Sequence, residues 1–152
     1  MKKLLVLFVC ISLVVCVSAM NQKDEKIPVT AKTGFAAKFP TAQKVKWSIE
    51  KPGEFEAEFT INGVESSALL NDKGNVLETE AEIKESELPQ AVKATIVKDF
   101  IGYKLDEIEK ATDAKGVTTF EMEAAKGKNK LEISFDANGK LLSKEPLKEE
   151  KD

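Results

Sequence analysis

Two stretches of this chain follow one plan, and that repetition limits the fold more than any other feature. "NDKGNVL" at residues 71–77 returns as "DANGKLL" at residues 136–142, 65 positions later. The same offset carries Phe55 onto Phe120, Ala57 onto Met122, Leu70 onto Phe135 and Gly74 onto Gly139 without a gap. Both turns open with Asn or Asp and place Gly fourth, the pattern of a type I turn closed by a left-handed residue between antiparallel strands. The strands that feed them alternate. "EFEAEFTI" sets Phe55, Ala57, Phe59 and Ile61 against Glu54, Glu56, Glu58 and Thr60, and "TFEMEA" sets Phe120, Met122 and Ala124 against Glu121 and Glu123. A period of two with one polar face marks a half-buried antiparallel strand.

Further strands flank these. "KVKWSIE" alternates Val45, Trp47 and Ile49 with Lys44, Lys46 and Ser48; "LETEAEI" alternates Leu77, Thr79, Ala81 and Ile83 with Glu78, Glu80 and Glu82; "KLEISF" does the same with Leu131, Ile133 and Phe135. Asn62-Gly63 reads as a two-residue hairpin turn. A helix is predicted ahead of each strand set. The first spans about 30–39 and stops at Pro40; the second spans about 88–100, with Ser86 as its N-cap, Pro89 early in it and Gly102 at its end. In the second, Val92, Ile96, Val97 and Phe100 share a helical face. The prediction is therefore an α+β fold, a tandem duplication of a helix followed by about four antiparallel strands, with both helices on one face of one sheet. Its expected core holds Phe39, Trp47, Phe55, Phe59, Phe100, Phe120 and Phe135.

The chain begins "MKKLLVLFVCISLVVCVSAM": two lysines, an apolar run from Leu4 to Val17 and small residues near Ala19. That is the build of a secretory signal peptide over residues 1–19. Cys16 raises the alternative of a lipid anchor, but Val15 stands where that processing needs a small residue, so a soluble exported chain is favoured. Residues 20–27 read as a polar linker, 28–147 as one domain of two repeats (about 28–85 and 86–147), and 148–152 as a disordered tail. Both cysteines, Cys10 and Cys16, lie in the leader, so the exported chain has no thiol for a disulfide, a metal site or a nucleophile.

Histidine and arginine are absent altogether. Without them the chain lacks the commonest general base and metal ligand and any bidentate clamp for phosphate. Losing Lys2 and Lys3 with the leader leaves 21 lysines against 26 acids, a net charge of −5. An acidic chain of this kind is not built for nucleic acid or anionic lipid, and no membrane insertion is expected once the leader is removed. The serines have no histidine to activate them. No catalytic residue, cofactor or metal ligand is assigned, and the Asp-rich turns lack the oxygen count of a calcium loop.

Phe39-Pro40, the Val45-x-Trp47 strand, the Asn71–Gly74 and Asp136–Gly139 turns, Leu88-Pro89 before the second helix and the Gly102-Tyr103 step after it together resemble the PepSY-like family of small exported bacterial proteins. The resemblance covers about residues 31–145 and implies a fold similar to the β-lactamase inhibitory protein. For function it implies only an exported module.

One surface stands out. Glu54, Glu56, Glu58, Glu78, Glu80 and Glu82 are expected on a single exposed sheet face, with Lys44 and Lys46 on the neighbouring strand offsetting part of their charge. The reading is an exported, non-catalytic binding or regulatory module that meets another envelope or secreted protein through this face or a strand edge. The alternatives are an inhibitor of a secreted enzyme, suggested by fold resemblance, and a divalent-cation-binding protein using the glutamates.

Overall fold

The structure, a computed structural model, describes residues 26–147. The leader, most of the linker and the tail fall outside the described residues. Helix α1 (Val29–Lys38) leads into strands β1 (Gln43–Lys51), β2 (Glu54–Ile61), β3 (Val64–Asn71) and β4 (Val76–Glu82). A short 3-10 turn at Glu85–Glu87 precedes helix α2 (Gln90–Asp99) and strands β5 (Lys104–Asp113), β6 (Thr118–Lys126), β7 (Asn129–Asp136) and β8 (Leu141–Pro146). The eight strands form one open antiparallel sheet in chain order, with β1 and β8 at its edges.

The pairing register shows which side the helices cover. Phe59, Ser66, Ala81, Lys110, Phe120, Phe135 and Leu141 stand side by side on successive strands. On this face Phe35 of α1 packs over Ala57, Phe59, Ala68 and Leu70, and Val92 and Ile96 of α2 pack with Phe120, Met122, Ile133 and Phe135. Both helices therefore share one face, and the other is left open. Phe35 meets Phe59 at 5.0 Å and Trp47 at 5.4 Å between ring centroids, both edge-on, the geometry that aromatic quadrupoles favour.

Each helix starts in the same way. Ile27-Pro28 and Leu88-Pro89 precede them, with both prolines extended and neither helix start closed by a side-chain cap. Proline suits a helix entry because its missing N–H would have no partner there. Ile27 and Leu88 are both buried, so an apolar residue on the entering chain pins each helix to the sheet. Ile27 thus belongs to the core and not to a polar linker. Ser86 is not the N-cap of α2. It lies inside the 3-10 turn, where the Lys84 backbone N–H donates to the Glu87 carboxylate at 2.9 Å.

Phe55, Phe59, Phe100, Phe120 and Phe135 are buried, whereas Phe39 and Trp47 are half-buried at the margin of the α1 cluster. Three apolar positions expected inside are outside. Val45 and Ile49 are well exposed because β1 is an edge strand whose register shifts at both ends. Val97 is 73% exposed, since α2 turns only a narrow stripe to the sheet.

The repeated turns have a shared task. In each, the Asn71 or Asp136 side chain accepts the backbone N–H groups two and four residues on, at 2.9–3.0 Å. Gly74 and Gly139 follow with φ of 82° and 79°. Each glycine then presses against a helix: Gly74 against Thr30 and Gly34 of α1, Gly139 against Ala91 and Thr95 of α2. Thr30 donates to the Asp72 carbonyl and Thr95 to the Gly139 carbonyl, closing each clamp. In a third turn of the same design, at Asp113–Val117, a Cβ added to Gly116 would meet nothing within 4 Å. The pair makes a test. Gly139→Ala should cost ~1–2 kcal/mol for a left-handed alanine and ~1–3 kcal/mol more for overlap with the Ala91 carbonyl. Gly116→Ala should cost only the first term, and urea unfolding of both variants measures the difference. Equal losses would mean that the clamp adds nothing.

Candidate functional site: the acidic sheet face

The open face is built by the alternate residues of all eight strands. One row across it reads Lys46, Glu58, Ser67, Glu80, Ala111, Thr119 and Asp136. The next reads Glu82, Glu109, Glu121, Ser134 and Ser143, and a third reads Asp106, Glu123, Glu132 and Glu145. Directly opposed residues on antiparallel strands lie within ~4.5–5.5 Å at Cβ, so like charges there repel. Three acids in succession, and then four, meet across neighbouring strands with no lysine between them.

The face is also curved. A groove of about 500 Å³ is lined by Lys44 and Lys46 from β1, Glu56 and Glu58 from β2, Glu82 from β4, and Asp106, Glu107 and Glu109 from β5. Strands that far apart border one hollow only if the sheet bends towards its open side. Two bulges stand at the rims. Lys44 (φ 55°) and Glu107 (φ 46°) adopt left-handed backbone, and at each the register with the following strand shifts. A bulge bends its strand and raises the local twist.

Burial changes the chemistry of the glutamates. The expectation that they lie exposed fails for Glu56 and Glu80, which are 5% and 8% exposed. Glu56 accepts the Ser48 hydroxyl at 3.1 Å, and its other oxygen finds no protein donor. Glu80 accepts the Ser67 hydroxyl at 2.9 Å. A buried carboxylate without a counter-charge holds its proton, because burial penalises the charged form. Burial, then Glu58, and more weakly Glu50 and Glu109, push Glu56 up to about 8. Burial followed by Glu109, Glu121 and Glu78 pushes Glu80 up to about 8.

The same happens across the second half of the sheet. Glu109 is pushed up to about 7 by burial and then by Glu121, Glu107 and Glu82. Glu132 is pushed up to about 7 by burial and then by Glu121, Glu145 and Glu123, and one of its oxygens also lacks a protein donor. Glu78, Glu107 and Glu121 are raised too, each mainly by burial.

Of the residues singled out from sequence, Lys44, Lys46, Glu56, Glu58 and Glu82 meet in the groove. Glu54 sits at the sheet margin and pairs with Lys51 at 3.0 Å. Glu78 and Glu80 belong to the face beyond the groove. The expected offset by Lys44 and Lys46 is not made: among the described residues neither comes within ion-pair reach of a carboxylate. Lys44 and Lys46 both stand exposed, Lys46 directly opposite Glu58. Asp106, Glu107, Glu109, Glu121, Glu123 and Glu132 were not assigned to the site. The alternation of "TFEMEA" and "KLEISF" marks three of them as polar-face residues, and the adjacency of β4 and β5 joins them to the first set. Among the described residues no three acids converge closely enough to hold a metal ion. Strands spread carboxylates along a surface where a binding loop would gather them.

Solved structures share this architecture. A protein of Bacteroides eggerthii, provisionally described as periplasmic, superposes with a TM-score of 0.74 at 17% identity, over 78% of this chain and 88% of that one. A DUF2874 family protein of Bacteroides uniformis gives 0.72 at 18% identity over the same shares. A BLIP-like protein of Bacteroides fragilis gives 0.68 at 22% identity, over 82% of this chain and 90% of that one. This chain has a BLIP-like fold. No protein-family model matches it, and no curated protein does. Among the described residues, no helix is long and apolar enough to cross a membrane.

Proposed function

We infer that this chain is an exported, non-catalytic binding module. Its concave acidic face takes a lysine- or arginine-rich segment of another envelope or secreted protein. The observation that carries the reading is the groove itself, bordered by carboxyls from β2, β4 and β5 that, among the described residues, form no ion pair with a lysine. A cationic segment laid there would supply the missing counter-charges. The absence of histidine and of any activated nucleophile supports a role without catalysis. Periplasmic descriptions of a fold neighbour support export, with the leader removed near Ala19.

The module is a tandem duplication of a helix with four strands, of PepSY-like descent. Supporting this are the paired Pro-led helices, the paired turn clamps and the bulges at Lys44 and Glu107. Duplication doubles the width of the open face and so makes the groove.

Fluorescence anisotropy of labelled hexalysine at about pH 8.5, where the carboxyls ionise, tests the binding role. Saturable binding is expected, weakening with salt as exposed charges are screened. Glu58→Lys with Glu82→Lys, both exposed positions, should abolish it while leaving the circular dichroism spectrum unchanged. Absence of binding, or binding indifferent to the reversal, would overturn this function.

A further inference from the structure

The open face is both acidic and short of ionised carboxylates, and this bears on how it takes a ligand. Glu56 is 95% buried by its 5% exposure, lines the groove, and has one oxygen without a protein donor. Glu132, 9% exposed, has another on the same face. Among the described residues no lysine favours ionisation of Glu56, Glu80 or Glu132. From β1, Glu56 faces Ser48 and Glu50; from β2, Glu58; from β5, Glu109. Glu80 meets Ser67 of β3, Glu78 of its own strand, Glu109 of β5 and Glu121 of β6. Around Glu132 stand Glu121 and Glu123 of β6 and Glu145 of β8. Among the described residues Lys130 favours ionisation of Glu107, which also lines the groove.

Resting on the binding role above, we propose that the acidic face captures its cationic partner in exchange for protons, so that mild acid releases the partner. An ammonium group arriving at the face supplies the positive charge that a buried carboxyl lacks. The carboxyl then gives its proton to solvent and its carboxylate pairs with the ammonium, with charge balanced on both sides. In the free protein protons occupy the places that the partner's cations later take. The in-register rows matter here. Glu82, Glu109 and Glu121 stand directly opposed across β4, β5 and β6, and the acids flanking Glu109 disfavour its ionised form until a cation enters between them. A solvated surface of scattered glutamates would show no such exchange.

The exchange has a calorimetric signature. Hexalysine is titrated into the chain lacking residues 1–19 at about pH 6 and about pH 8, each in two buffers of different ionisation enthalpy. Binding should release protons, seen as a buffer-dependent heat. Affinity should fall about tenfold per pH unit for each proton displaced, below the pH at which the carboxyls ionise. Glu56→Gln with Glu80→Gln removes two exchanging groups, so the variant should bind with less proton release and a flatter pH profile. Binding with no proton release, or with equal affinity at both pH values, overturns the exchange while leaving the binding role intact. No binding at either pH overturns both. The variant's fold is checked by its unfolding transition, and if it fails to fold, Glu109→Gln, half-buried in the neighbouring row of the same face, serves in its place.

Discussion

Acidifying this protein from about pH 8.5 to about pH 6 should stabilise it by on the order of a few kcal/mol, and its melting temperature should rise accordingly. Glu56 and Glu80 are raised from 4.5 to about 8 in the folded chain, chiefly by burial. Between those two values the folded state holds protons that the unfolded state has already lost. Stability therefore falls as pH rises through this window and returns as pH drops. Many proteins behave in the opposite way there, because paired carboxylates favour the ionised form. Glu56→Gln with Glu80→Gln should flatten the profile and exceed the parent's stability at about pH 8.5, since a neutral amide needs no proton to stay buried. Thermal unfolding of both proteins across this pH range is the check. A parent profile that is flat, or that falls towards pH 6, would contradict the account.

The largest single-residue effect should come from Phe135. It is fully buried, faces Phe120 across β6–β7, and meets Phe100 edge-on at 6.0 Å. Truncation of a buried phenylalanine costs ~3–5 kcal/mol, a large part of the ~5–15 kcal/mol that holds a small domain together. Phe135→Ala should therefore lie near the limit of folding at 37 °C, a temperature at which ~5 kcal/mol margins are already thin. Trp47→Ala should cost clearly less, because the indole is half-buried against Phe35 at an edge strand. Urea unfolding that ranks Trp47→Ala as the more damaging change would mean that the core is centred under α1.

The strands were legible because alternation survives burial of only one face. Phe55 to Ile61 and Phe120 to Ala124 announce their inward side at every second residue, and the turn glycines fix where each strand ends. The exceptions share a cause: local pattern does not report what lies across the sheet. Val45 and Ile49 alternate like core residues and are exposed, because no strand flanks β1. Ile108, which follows its own bulge residue as Val45 does, is buried where β4 runs alongside and Ile83 donates to its carbonyl at 2.9 Å. Ser86 has the composition of a cap, but the Pro-led entry of α2 overrides it.

The candidate site was half legible. Periodicity assigns Glu56 and Glu80 to the open face correctly, yet it cannot say that the face is hollow. Hollowness comes from bulges at Lys44 and Glu107, two long polar residues in left-handed backbone that no turn residue advertises. Nor does periodicity report that Glu56 and Glu80 are buried on that face, which raises both carboxyls to about 8. The second-half glutamates were missed for a related reason, since they join the first set only through the β4–β5 seam.

Side-chain carboxyl NMR of the free protein, followed through pH, reads the central claim directly. Resonances of Glu56 and Glu80, assigned by their loss in the Gln variants, should titrate at about 8, well above the range of an exposed glutamate. Titration of both with the exposed glutamates, at about 4.3, would mean that the face is ordinarily ionised and solvated, and the account of a proton-holding acidic groove would be wrong.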